Sequence, residues 1–221
     1  MKKILVFAPH ADDEMIGVGG TIIKNIYNGN RVYVCVVTKG CYPVFNEDYV
    51  NTLRCETIEC HKKVGIEETF FLDFPSVFLE EEHRYTINSK ILEVVEKISP
   101  DEVFIPHFGD MQKDHQIVSE ACMVALRPKY KFAPKRILSY EVLSETGWNI
   151  PNVQNDFIPN VYEDISPFLK QKIEAVGIYK SQISEFPATR SIEAIEALAK
   201  YRGAQMNMLA AESFSLIREI K

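Results

Sequence analysis

Ile4-Leu5-Val6-Phe7-Ala8 runs into Pro9-His10-Ala11-Asp12-Asp13-Glu14 and then into Met15-Ile16-Gly17-Val18-Gly19-Gly20. The opening five residues are apolar at every position, the pattern of a strand buried on both faces of a sheet. After the polar turn a helix is predicted from about Ile16 to Asn28, closed by Gly29-Asn30, a pair that tolerates the left-handed conformation at a helix end. Arg31–Thr38, rich in Val, reads as a second strand, and Lys39–Asn46 as a loop. Working outward, Glu47–Val64 reads as a helix, Thr69–Leu72 as a strand and Thr86–Ile98 as a helix. Glu102–Pro106 then reads as a strand, Asp114–Leu126 as a helix and Arg136–Val142 as a strand.

Doubly apolar strands alternating with helices predict an α/β fold: a doubly wound, mainly parallel sheet with helices on both faces. Beyond Val142 the texture changes. Ser144–Pro159 reads as a long polar loop, and Ile165–Tyr179, Ile192–Ala204 and Met206–Ile220 as helices. No low-complexity linker or internal repeat interrupts the chain. Residues 1–221 are therefore expected to form one domain, an α/β core over 1–143 with a loop and C-terminal helical cap over 144–221.

Composition narrows the function. Lys and Arg total 25 against 31 Asp and Glu, a net charge of −6, and no basic block has the density of a phosphate-binding patch. Nucleic acid is not an expected partner. The longest apolar runs, such as Ile4–Pro9 and Val32–Val37, fall far short of the roughly 20 residues of a membrane span. The basic start passes within a few residues into the acidic turn and has no secretory pattern, so a cytoplasmic location is expected. Five cysteines, an odd number with no Cys-x-x-Cys pair, read as free thiols.

The acidic turn is where the chemistry concentrates. His10, Asp12, Asp13 and Glu14 leave the carboxyl end of the first strand, the rim on which doubly wound sheets bind ligands. Acidic residues alone would only complement a helix dipole; a histidine at the strand end is not explained that way. Imidazole beside carboxylate suits a divalent metal such as zinc, and adjacent aspartates point in different directions, so one can ligate while the other takes a proton from water. A second segment, Pro106-His107-Phe108-Gly109-Asp110-Met111-Gln112-Lys113-Asp114-His115, leaves the strand Glu102–Pro106 on the same rim. Three of five histidines fall in these two segments; His61 and His83 lie in charged, surface-like contexts and receive no role. Gly17-Val18-Gly19-Gly20 lacks the dinucleotide spacing and follows an acidic loop that would repel a pyrophosphate.

Pro-His-x-Asp-Asp-Glu, Gly-x-Gly-Gly and a downstream Asp-x-x-x-Asp-His together resemble the LmbE/PIG-L family of metal-dependent N-deacetylases. The likeness continues through Asp164-Ile165-Ser166, Lys172, Tyr179-Lys180-Ser181-Gln182, Arg202-Gly203 and Ala211-Glu212-Ser213-Phe214. It implies a Rossmann-like sheet and removal of an N-acetyl group from a GlcNAc-type amino-sugar conjugate. Matched by position, it implies Zn2+ or another divalent metal held by His10, Asp13 and His115. It also implies Asp12 as general base and Asp114 as a carboxylate that fixes an imidazole tautomer.

Gln112 departs from the pattern, since many members place a histidine there. Gln112 and His107 are then candidate donors to the oxyanion, and Asp12, once protonated, is a candidate to return its proton to the amine. Arg54 and the lone Trp148 are candidate substrate contacts. Other acylated amines, or sugar binding without catalysis, would use the same residues. The aglycone, the native metal and whether the chain forms a homo-oligomer stay open.

Overall fold

The computed structural model describes residues 1–221. The elements are β1 Lys3–Ala8, α1 Asp13–Tyr27, β2 Arg31–Lys39, α2 Glu47–Val64, β3 Glu68–Pro75, α3 Arg84–Ile98, β4 Glu102–Pro106, α4 Lys113–Ala125 and β5 Arg136–Tyr140, then β6 Val161–Asp164, α5 Leu169–Val176, α6 Ile192–Gln205 and β7 Ala211–Glu219. They build a seven-stranded sheet in the order β3-β2-β1-β4-β5-β7-β6. The five strands of the α/β part are parallel, with Ile4 opposite Val32 and Leu5 opposite Val103. The chain winds from β1 outward to β3, returns, and winds the other way through β4 and β5. That reversal opens a crevice between the carboxyl ends of β1 and β4.

Alternation along each strand divides the core in two. Leu5, Phe7, Cys35, Val37, Val103 and Ile105 face α3 and α4. Ile4, Val6, Val34, Val36 and Phe104 face the other way, toward α1 and the α5–α6 pair. Burial on both faces explains why these strands carry no polar side, as expected of a covered parallel sheet.

The tail departs from expectation. Met206–Ile220 is not a helix: Ala211–Glu219 is the strand β7, antiparallel to β5 and to β6. The apolar positions Phe214, Leu216, Ile217 and Ile220 fit either period locally. Pairing with the exposed edge of β5 decides for the strand, because it satisfies both rows of backbone groups. The helical cap is therefore α5 and α6 only, and Val161–Asp164, within a segment with no strand expected, closes the sheet as β6. The helix expected over Ile165–Tyr179 is shorter: a 3-10 turn over Ser166–Phe168, then α5 ending at Val176 before Gly177.

α1 is the element that carries the acidic turn, and it is anchored at its middle. Lys172 of α5 and Glu212 of β7 form a buried ion pair at 2.6 Å. Lys172 Nζ donates to the Ile16 carbonyl at 2.7 Å, and the Glu212 carboxylate accepts from the amides of Gly20 and Thr21, each at 2.7 Å. Lys172 thus has two partners and Glu212 three, the compensation a buried ion requires. The glycines make room: a Cβ on Gly20 would fall 2.7 Å from Ile165 Cδ1, and one on Gly17 would run into the Tyr140 ring.

Candidate active site

Pro9 ends β1 and the chain turns sharply. Asp12 sits at φ 103, in the left-handed region that residues with a Cβ rarely enter. The turn holds it there. Its carbonyl accepts from the amides of Met15 and Ile16, at 3.0 and 2.9 Å, and its own amide donates to Glu14 Oε2 at 3.2 Å. Glu14 is in turn fixed from behind, where Oε1 accepts from the Tyr179 hydroxyl at 2.6 Å and from His61 Nε2 at 3.1 Å. His61 is therefore no surface residue. It is 3% exposed, with Nδ1 2.7 Å from Thr69 Oγ1. Position 61 looks charged only because its neighbours along α2 are; the ring itself faces inward.

Asp12 and Asp13 diverge as adjacent residues must. The amide of His10 donates to Asp13 Oδ2 at 2.8 Å. The same oxygen lies 3.3 Å from His10 Nδ1 and 3.3 Å from His115 Nε2. One ligand atom from each of His10, Asp13 and His115 falls within 4.8 Å of the others. The far nitrogen of each ring has a carboxylate of its own. His10 Nε2 lies 3.0 Å from Asp114 Oδ2, and His115 Nδ1 lies 2.8 Å from Asp110 Oδ2. A proton on each far nitrogen leaves a lone pair on each near one, the tautomer a metal ligand needs. Asp114, expected to fix an imidazole, lies against His10 rather than its neighbour His115. It also accepts from the Val77 amide at 2.8 Å.

Burial and charge act against each other here. Burial disfavours the His115 cation, but Asp13 and Asp110 outweigh it and lift the pKa to about 10. His10 is likewise raised, burial being overcome by Asp114 and Asp13. Asp13 is held well below the usual carboxylate range, since the two imidazoles overcome its burial. Asp12 goes the other way: burial pushes it up, and Arg190 only partly opposes this. Its Oδ2 lies 3.4 Å from Arg190 Nη1 without hydrogen-bond geometry.

Asp12 Oδ1 and Oδ2, Asp13 Oδ1 and His115 Nε2 are all buried with no hydrogen-bond partner. Native proteins rarely leave such atoms unpaired. Here two of them, Asp13 Oδ1 and His115 Nε2, belong to the His/Asp/His donor set and two to the adjacent Asp12, so the residues present fit a divalent cation.

A cavity of about 260 Å³ opens beside this cluster. His10, Gln112, Glu145 and Arg190 line it next to the cluster, and Phe45, Tyr49, Leu53, Arg54 and Phe71 line it elsewhere. Arg54, a candidate contact from sequence, is in the wall, stacked 3.6 Å from the Phe71 ring centroid and bonded to Asp73. Gln112, the residue preceding α4, is there too. Two other candidates are not. Trp148 is 63% exposed and outside the lining. His107 turns away, with Nε2 3.0 Å from the Asn155 carbonyl oxygen and its ring against Phe157. Residue order alone places both near the rim; the course of the loop over 144–160 takes them elsewhere.

A family profile described as PIG-L: GlcNAc-PI de-N-acetylase matches residues 5–126, more than half of the chain. The chain belongs to the PIG-L family. Among curated relatives, the diacetylchitobiose deacetylase of Thermococcus kodakarensis is 26% identical over 209 residues, covering 84% of this chain and 72% of that protein. Two solved structures share the fold. The conserved protein TT1542 of Thermus thermophilus superposes with a TM-score of 0.80 at 24% identity, covering 100% of this chain and 97% of that one. The 4-carboxy-2-hydroxymuconate hydratase GalB of Pseudomonas putida does so at 0.79 and 17%, covering 100% and 98%. PIG-L chains thus share their architecture with a protein named as a hydratase, and the site, not the fold, must carry the argument for activity.

Sequence reasoning passed over Asp110, Glu145, Arg190 and the Tyr179–Glu14–His61 contacts. Asp110 had a usable signal, a carboxylate five positions before a candidate ligand and on the same rim. Arg190 had none, since it arrives from the connection between α5 and α6.

Proposed function

We propose that this PIG-L protein is a zinc-dependent hydrolase that removes the N-acetyl group of a GlcNAc-type amino-sugar conjugate. The observation that carries the reading is the His10, Asp13 and His115 donor set, with buried atoms of Asp13 and His115 left unpaired and His10 in the wall of a cavity. Similarity to a diacetylchitobiose deacetylase supports the substrate class.

His10, Asp13 and His115 would hold the cation. When bound, it supplies Lewis acidity toward water and the amide carbonyl. The chain does the rest. Asp12, unpartnered and beside the cluster, takes a proton from the attacking water as the C–O bond forms. Arg190, whose Nη1 lies 3.4 Å from that carboxylate, favours its charged form. Gln112, an uncharged amide on the wall, is positioned to donate a hydrogen bond to the oxygen that becomes negative. His107 plays no part in this reading, because its ring is committed to the Asn155 carbonyl. Arg54 over Phe71 offers the substrate a cation flanked by an apolar face, and Phe45 and Tyr49 add aromatic wall for a sugar ring. No helix of the chain is long and apolar enough to cross a membrane.

Acetate release from free, nucleotide-linked and lipid-linked N-acetylamino sugars, assayed with added zinc, tests the reading. Acetate from at least one class is expected. Zinc-loaded protein that releases none, while other acylamines are cleaved, would transfer the site to a different amide.

A further inference from the structure

Breaking the amide leaves a nitrogen that must gain a proton as the C–N bond opens. The cavity wall is poor in groups that can supply one. The guanidinium groups of Arg54 and Arg190 are not deprotonated in proteins, Lys39 is an exposed side chain at the end of β2, and Gln112 has no titratable proton. Tyr49 is engaged with Gln182, which donates to its hydroxyl oxygen at 2.8 Å. His10 is taken up by Asp13 and Asp114. Glu145 is the one carboxyl among the residues that line the cavity.

Its backbone is held in place. The Glu145 amide donates to the Val142 carbonyl at 2.9 Å, and its own carbonyl accepts from the Met111 amide at 3.2 Å. The next residue completes the clamp: Thr146 Oγ1 accepts from the Val142 amide at 2.8 Å and donates to Asp110 Oδ1 at 2.6 Å. Asp110 is the carboxylate that turns His115. The turn bearing Glu145 is therefore tied directly to the loop that presents the candidate ligand.

Building on the deacetylase reading, we propose that Glu145 is the catalytic acid that protonates the departing amine, the task Gln112 cannot perform. As the tetrahedral intermediate collapses, the C–N bond breaks, its electron pair stays on nitrogen, and the Glu145 proton passes to that nitrogen. The products are a free amine and acetic acid, which ionises to acetate. Asp12 keeps the proton taken from water until it exchanges with solvent, and Glu145 regains one the same way, so the enzyme ends as it began. Burial raises the Glu145 pKa, which favours the protonated form an acid needs. Of the charged groups around the cavity, His115 on α4, His10 after β1 and Arg190 before α6 lower the Glu145 pKa and Asp13 on α1 raises it.

The test is kcat/KM against pH on one N-acetylamino sugar for wild type, Glu145→Gln and Glu145→Gln with Gln112→His. A general acid gives a basic limb, because activity falls as it loses its proton. Glu145→Gln should lose roughly 10²-fold in kcat and lose that limb, with bound zinc and melting temperature unchanged. The double variant should recover activity with a new limb near the imidazole value of about 6.5. Glu145→Gln within about 3-fold of wild type, or with its basic limb intact, overturns the proposal and leaves Asp12 as donor. Loss of zinc in Glu145→Gln also overturns it, in favour of a structural role. Wild-type protein that releases no acetate sinks the deacetylase reading itself, a result distinct from either.

Discussion

Asp110 Oδ2 lies 2.8 Å from His115 Nδ1 and so turns His115 Nε2 toward Asp13. Carboxylates that hold a ligand's second nitrogen typically account for about 10–100-fold in metal affinity. Asp110→Asn should weaken zinc binding by that order while leaving all three donors present. Competition against a chromogenic chelator measures it. Affinity equal to wild type would mean that packing alone orients the ring.

The two adjacent aspartates should separate cleanly. Asp12→Asn should retain zinc and lose most acetate release, since an amide cannot accept the water proton. Asp13→Ala and His115→Ala should lose the metal. Elemental analysis beside an activity assay distinguishes them, and an empty Asp12→Asn site would reverse the roles.

Metal uptake should release protons. The ordinary His115 value is 6.5, and in the metal-free fold Asp13 and Asp110 lift it to about 10 against the effect of burial. The stability this charge contributes is fully present below pH 6.5 and is lost as pH rises toward about 10. A ligand must be unprotonated, so zinc affinity should climb through the same window. Calorimetry at pH 7 in buffers of different ionisation enthalpy should show proton release on zinc binding; buffer-independent heats would contradict it.

Gln112→Ala should cost less turnover than Asp12→Asn. One oxyanion donor is worth roughly 2.7–4 kcal/mol in a well-formed site, whereas losing the base removes water activation altogether. His107→Ala should leave the pH profile unaltered, because that ring faces the Asn155 carbonyl. A changed basic limb in His107→Ala would return it to the mechanism.

Lys172→Met should destabilise the protein by roughly 3–5 kcal/mol, since it strands a buried Glu212 charge. Lys172→Met with Glu212→Leu should cost less than the sum of the single changes. Urea denaturation of the three variants gives the coupling. Additive losses would show that the pair does not act as a unit in holding α1.

The sequence by itself determined the parallel part of the sheet. Its inner strands are covered on both faces, and a largely apolar run is what suits them there. It also brought together the nucleus of the candidate site, because β1 and β4 each end in a histidine-bearing polar segment and a parallel sheet sends both ends to one rim. Only the tertiary structure decided which carboxylate serves which imidazole. Asp114 sits next to His115 in sequence but reaches across to His10, since the first turn of α4 faces the β1 loop. Only the tertiary structure, likewise, made Ala211–Glu219 a strand, through pairing with two partners distant in sequence. His61, Arg190 and Glu145 come to the site or its support from α2, from the connection before α6 and from the turn after β5. Contacts across such separations leave no local period to read, because burial, charge compensation and backbone pairing are settled only when the chain has closed on itself.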